Sequence, residues 1–72
     1  MTNEQHRPEP LADSVADAAR RIGCSRATAY NLINSGLLIA KKLGRRTLIE
    51  RSEQARFVAS LPAMPVAARQ DA

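Results

Sequence analysis

Apolar residues return at helical spacing twice in the first half of the chain. Val15, Ala18, Ala19 and Ile22 fall at i, i+3, i+4 and i+7, which is one face of an α-helix. Ser14 stands at the N-cap position, and Asp17 three residues on resembles a capping box with Asp in place of Glu. Gly23 ends that run, because glycine tolerates the left-handed conformation that closes a helix. A second helix opens at once, with Ser25 as N-cap and Arg26 first inside. Ala29, Leu32 and Ile33 share its inward face, and Asn34-Ser35-Gly36 is its stop. Then the period changes. Residues 38–43 (LIAKKL) and 46–50 (RTLIE) flank Gly44-Arg45, so a tight β-hairpin is predicted, with its register open because neither run alternates cleanly. Ser52 caps a third helix running to Leu61, with Glu53 in its first turn. Phe57, Val58 and Leu61 are its expected apolar stripe, and Pro62 ends it.

The ends lack this patterning. Residues 1–10 are polar with two prolines and read as a disordered arm. Residues 62–72 contain Pro62 and Pro65 without any period and read as a flexible tail. The folded unit is therefore expected over residues 11–61. Of 72 residues only 3% are aromatic, so its core must be built from Ala, Leu, Ile and Val and will be thin. A unit this small is marginal alone, and DNA or a neighbouring copy would help stabilise it.

The net charge of +4 is unevenly spread. Residues 1–19 carry −3, from Arg7 against Glu4, Glu9, Asp13 and Asp17. Residues 20–58 carry +7, and residues 59–72 balance. A basic folded segment is the footprint of a polyanion binder, although a generally basic solvated surface has the same total. The single cysteine, Cys24, excludes an internal disulfide, and no apolar run is long enough for a membrane span or signal-peptide core. A cytoplasmic protein without membrane contact is expected. Catalysis has little support. His6 lies in the arm, Cys24 faces inward without a histidine to activate it, and no carboxylates have metal-ligand spacing. No enzyme, metal, cofactor or small-molecule ligand is expected. The near-absence of aromatic stacking residues disfavours RNA.

Two short helices separated by so little chain must cross steeply, as in a helix-turn-helix. Ala19 supplies the small side chain where they approach, and Gly23, four residues later, the permissive backbone of the turn. An ordinary helical hairpin is the plainer reading. The outward face of the second helix presents Ser25, Arg26, Ala27, Thr28, Tyr30 and Asn31. Arg pairs with guanine, Asn with adenine, and Ser or Thr with either. The helix N-terminus at Ser25-Arg26 favours a phosphate. Arg45 and Arg46 at the hairpin tip, with Lys41 and Lys42 behind them, suit the negative potential of a minor groove. The same charges also keep a hairpin edge from aggregating. Arg20, Arg21 and Arg51 are further candidates for phosphate contact, and Arg56 a weaker one.

Together these segments resemble the excisionase-type, or MerR-like, helix-turn-helix family. The matching features are SVADAARRIG, CSRATAYNLINSG, LLIAKKLGRRTLI and the polar opening RSE of the last helix, spanning Leu11 to Leu61. Gln54 stands where such domains usually place an apolar residue, and Cys24 and Ala29 are smaller than the usual Val or Ile. The resemblance implies a mainly α winged helix-turn-helix fold with a small β-hairpin, the second helix in the major groove and the hairpin as wing. It implies a recombination directionality factor of a mobile element. Several copies would bind adjacent sites on double-stranded DNA, bend it, and help an integrase favour excision. Apart from the resemblance, the apolar Met64, Val66, Ala67 and Ala68 of the tail suggest a segment that docks on a neighbouring copy or an integrase. A small transcriptional regulator of the same fold, or a protein-interaction adaptor or antitoxin, remain the alternatives.

Overall fold

The computed structural model describes residues 10–64. Apart from residues 10 and 62–64, the expected arm with His6 and the expected tail with Val66, Ala67 and Ala68 lie outside the described residues. The elements run β1 (Ala12–Ser14), α1 (Val15–Ile22), α2 (Arg26–Asn34), β2 (Lys41–Leu43), β3 (Arg46–Glu50) and α3 (Arg51–Ser60). The fold is three helices with a small antiparallel sheet, a winged helix-turn-helix. α1 is the central element, and α2, β1, β3 and α3 all pack against it.

The helical corner forms as its local signals dictate. Ser14 caps α1, its Oγ accepting the Asp17 N–H at 3.2 Å. Gly23 closes α1 at φ 98°, and the Ala19 carbonyl accepts the N–H groups of both Gly23 (2.8 Å) and Cys24 (2.9 Å). A side chain at residue 23 would strain this left-handed turn. Ala18, Ala19 and Ala29 are buried where the two helices meet, so the backbones approach closely. α2 ends in a Schellman arrangement. The Leu37 N–H reaches the Leu32 carbonyl (3.0 Å) and the Gly36 N–H that of Ile33 (3.1 Å).

The sheet has the order β1-β3-β2, both pairings antiparallel. β2 and β3 are joined by Gly44-Arg45 with Leu43 opposite Arg46. Gly44 has φ 61°, and a two-residue hairpin turn takes glycine in that conformation. The first strand of the hairpin is shorter than the predicted 38–43. Leu38 is buried in the core, its N–H and that of Leu37 close the end of α2, and the Ile39 N–H is taken by Glu53. Those donors are unavailable to β3, and pairing starts at Lys41.

β1 was not predicted. It sets Asp13 opposite Ile49 and buries its carboxylate, 7% exposed. Arg51 Nε donates to Asp13 Oδ2 at 2.7 Å, Gln54 Nε2 at 2.9 Å, and Arg21 Nε at 3.1 Å. This cluster corrects the expectation for α3. The helix begins at Arg51 rather than after a Ser52 cap, and its N-cap, Glu50, makes no side-chain cap bond. Arg51 N–H is held by the Leu11 carbonyl at 3.0 Å instead. Gln54 and Phe57 form the buried face, while Val58 and Leu61 are 46% and 50% exposed. Gln54 occupies a core position because both Asp13 and the Ile49 carbonyl (3.1 Å) accept its amide. Leu61 is extended (ψ 146°), as a residue before proline should be.

The core is Val15, Ala18, Ala19, Ala29, Leu38, Ile49 and Phe57. Leu38 and Ile49 are its largest fully buried side chains, each worth about 1.5–3 kcal/mol.

Two carboxylates make stability sensitive to acid. Burial by itself pushes the Asp13 carboxyl up, but hydrogen bonds from Arg51 and Gln54 and the charges of Arg51 and Arg21 outweigh it, leaving it below its ordinary 3.8. The hydrogen bond from Arg56, against the opposing effect of burial, and with help from the Ile39 N–H and the charges of Arg56 and Lys41, holds Glu53 at about 2 rather than 4.5. Both groups bind protons more readily in the unfolded chain, so their contribution is complete above pH 4.5 and is lost as pH falls toward 2. Thermal melts followed by far-UV circular dichroism should show a level Tm from pH 7 to 5 and a fall below that. The fall should be smaller in Glu53→Gln, and an equal fall in that variant would contradict the assignment to Glu53.

Candidate nucleic-acid interface

α2 rests on α1 through Ala29, with Leu32 and Ile33 packed against the core. Its other side is open. Ser25, Arg26, Ala27, Thr28, Tyr30 and Asn31 are all exposed. Ser25 fixes the first turn twice over. Its Oγ accepts the Thr28 N–H at 3.0 Å and its hydroxyl donates to Thr28 Oγ1 at 3.0 Å. The capping bonds occupy part of the hydrogen-bonding capacity of both hydroxyls and satisfy one of the open N–H groups of the first turn. Arg26 lies over the Tyr30 ring, its guanidinium carbon 5.7 Å from the centroid, a cation–π contact one helical turn apart.

The hairpin carries the second set. Lys41, Lys42, Arg45 and Arg46 are all exposed. Lys41 Nζ lies 3.0 Å from Glu50 Oε1, and Lys42 Nζ donates to Thr47 Oγ1 at 3.3 Å. Arg45 and Arg46 sit at the turn, Gly44-Arg45, and just after it.

Ion pairing separates the basic residues. Among the described residues Arg26, Lys42, Arg45 and Arg46 have no carboxylate within ion-pair distance. Arg20 pairs with Asp17, and both side chains are exposed. That pair and Lys41–Glu50 are solvent-screened and worth about 0–1 kcal/mol each, so a phosphate can replace either carboxylate at small cost. Arg21 and Arg51 differ, because both are held by the buried Asp13. Arg51 is the more enclosed of the two, and both its Nε and its Nη2 donate to Asp13. Arg56 is engaged by Glu53 and the Leu37 carbonyl.

Sequence reasoning missed Asp13 as an acceptor for three donors and Glu53 as a partner of the chain after α2. The signal at Gln54, a polar residue at a core position, pointed toward the first. Cys24 is partly buried in the turn between the helices and packs on the core. Among the described residues no group of three or more His, Cys, Asp or Glu is placed to hold a metal ion, no pocket is present, and no helix is long and apolar enough to cross a membrane.

Two consecutive helices with the second exposed, followed by a basic two-stranded hairpin, are the arrangement of the winged helix-turn-helix class. The chain belongs to the helix-turn-helix domain family, in its excisionase-like branch, and the family model matches residues 14–61. That span runs from the cap of α1 to the end of α3. In the same comparisons no curated protein and no solved structure matches significantly. Membership points to sequence-specific DNA binding, and the family is typically non-enzymatic.

Proposed function

We propose that this protein is an excisionase-type recombination directionality factor that binds and bends double-stranded DNA near an attachment site. The observation that carries its DNA contact is the location of the four cations that, among the described residues, have no carboxylate within ion-pair distance. They fall on the N-terminal turn of α2 and on the wing, the two elements that a winged helix-turn-helix offers to a duplex. In this reading α2 lies in the major groove. Arg26 and Asn31 read base edges, Ala27 allows close approach, and Ser25, Thr28 and Tyr30 meet the adjoining backbone. Arg45 and Arg46 enter or flank the minor groove, supported by Lys41 and Lys42. Arg20 and Arg21 border the footprint, whereas Arg51 serves the fold.

The role in recombination is supported by the excisionase-like family to which the chain belongs. Copies on adjacent sites would hold a bend by many individually weak cationic contacts, in the cytoplasm beside the nucleoid, and the bend would favour excision by an integrase. Footprinting on DNA around an attachment site should show a protected run that extends when the integrase is added. Protection confined to a promoter, and unchanged by integrase, would favour a transcriptional regulator.

Two sets of variants separate affinity from specificity. Arg45→Ala with Arg46→Ala should weaken binding to cognate and random duplexes alike and flatten the salt slope by about one unit per lost phosphate contact. A slope equal to wild type would remove the wing from the interface. Arg26→Ala or Asn31→Ala should narrow the gap between cognate and random DNA by about 1–3 kcal/mol if each makes a bidentate base contact. A wild-type ratio in both would show that other residues read the sequence.

A further inference from the structure

The wing is joined to α2 by a connector, residues 35–40, and two side chains of α3 grip it. Glu53 Oε2 accepts the Ile39 N–H at 2.9 Å. Arg56 Nη2 donates to the Leu37 carbonyl at 3.1 Å. The two side chains also bond each other, Arg56 Nε to Glu53 Oε1 at 2.7 Å and Nη2 to Oε2 at 2.5 Å. Between the gripped residues Leu38 is buried in the core. The connector is thus fixed at three consecutive positions, two by polar backbone contacts and one by burial. We propose that Glu53 and Arg56 are positioning residues that hold the root of the wing and so aim Lys42, Arg45 and Arg46 at the duplex. This rests on the wing contact proposed above.

An Arg and Glu three residues apart on a helix are ordinarily a screened surface pair of little consequence. This pair differs in two respects. The Glu53 side chain is only 12% exposed, and each partner reaches backbone 14 or 19 residues away in sequence. The position of β2 makes the grip consequential. Among the described residues β2 is an edge strand of three exposed residues, paired with β3 alone. Its pairing begins with Lys41 opposite Leu48, and the residues just before it are held by the bonds from α3. Strand pairing sets the shape of the hairpin, while the connector sets where its first strand leaves the body. Cations held in one direction contribute more to binding than the same cations on a wandering hairpin, because less ordering entropy is lost on contact.

The sign of one substitution separates this proposal from simple electrostatics. Removing the negative charge of Glu53 should strengthen attraction to a polyanion if charge alone matters. If Glu53 holds the wing, its removal weakens binding. Fluorescence anisotropy with a duplex, across a salt series, should compare wild type, Glu53→Ala, the Arg45→Ala/Arg46→Ala pair, and all three changes together. Glu53→Ala is expected to bind more weakly and to flatten the salt slope by about one unit, and to cause no further loss when the wing arginines are already absent. Arg56→Lys keeps the charge but loses the planar fork, and it should move affinity and slope the same way by less. It serves as the readout if circular dichroism shows Glu53→Ala to be unfolded. Unchanged or tighter binding with a wild-type slope in the folded variant would overturn the grip, while a flattened slope in the arginine pair would leave the wing contact standing. If the arginine pair also keeps the wild-type slope, the wing contact and the grip both fall.

Discussion

A buried carboxylate organises this small domain. Asp13 sits in a three-residue strand, shielded from water, and takes hydrogen bonds from α1 through Arg21 and from α3 through Arg51 and Gln54. Deleting one partner would leave a buried charge or donor unsatisfied, a cost that matters in a domain held together by only a few kcal/mol net. The arrangement accounts for several features at once. It explains why β1 pairs with β3, why α3 starts at Arg51 and why a glutamine fills a core position. It also fixes α1, on which the exposed helix α2 rests. With so few large apolar side chains, the domain closes through small residues at the helix corner and through this polar cluster at the other side of α1.

The same pairing determines how the net positive charge is presented. Arg51 is held by Asp13, Arg21 shares that carboxylate while half exposed, and Arg56 is engaged by Glu53 and the connector. Among the described residues, the cations without a carboxylate partner are concentrated on α2 and on the hairpin. A chain that is basic on average thereby offers its charge in two places rather than all over. Weak exposed pairs at Arg20 and Lys41 border these places. They leave charge that a phosphate can recruit with little loss of stability.

Much of this was legible in the residues. Ser14, Gly23, Ser25 and Gly36 are local signals, each acting within a turn of its own position, and they mark both helices of the corner. Gly44 likewise marks the hairpin turn. The features that escaped reading depend on partners far along the chain. β1 is too short to alternate and has an aspartate at its centre, so nothing in its own sequence marks a strand. Its identity comes from β3, more than thirty residues later. Gln54 reads as a flaw in an apolar stripe until Asp13 is placed beside it. Val58 and Leu61 read as core because they are apolar, yet α3 turns Gln54 and Phe57 inward instead. Glu53 fits the dipole rule for a first turn, and that local explanation hides its contact with Ile39. Which cations are paired is likewise a tertiary property, invisible to charge counting.

The central claim is that a duplex meets the exposed side of α2 and the wing together, while α3 and β1 stay behind. Amide chemical-shift mapping by NMR, during titration with a cognate duplex, tests it most directly. The account predicts perturbations concentrated at residues 25–31 and 41–46, appearing at the same stoichiometry. Perturbations centred on Val58 and Leu61 or on residues 11–14, with residues 25–31 unmoved, would contradict it.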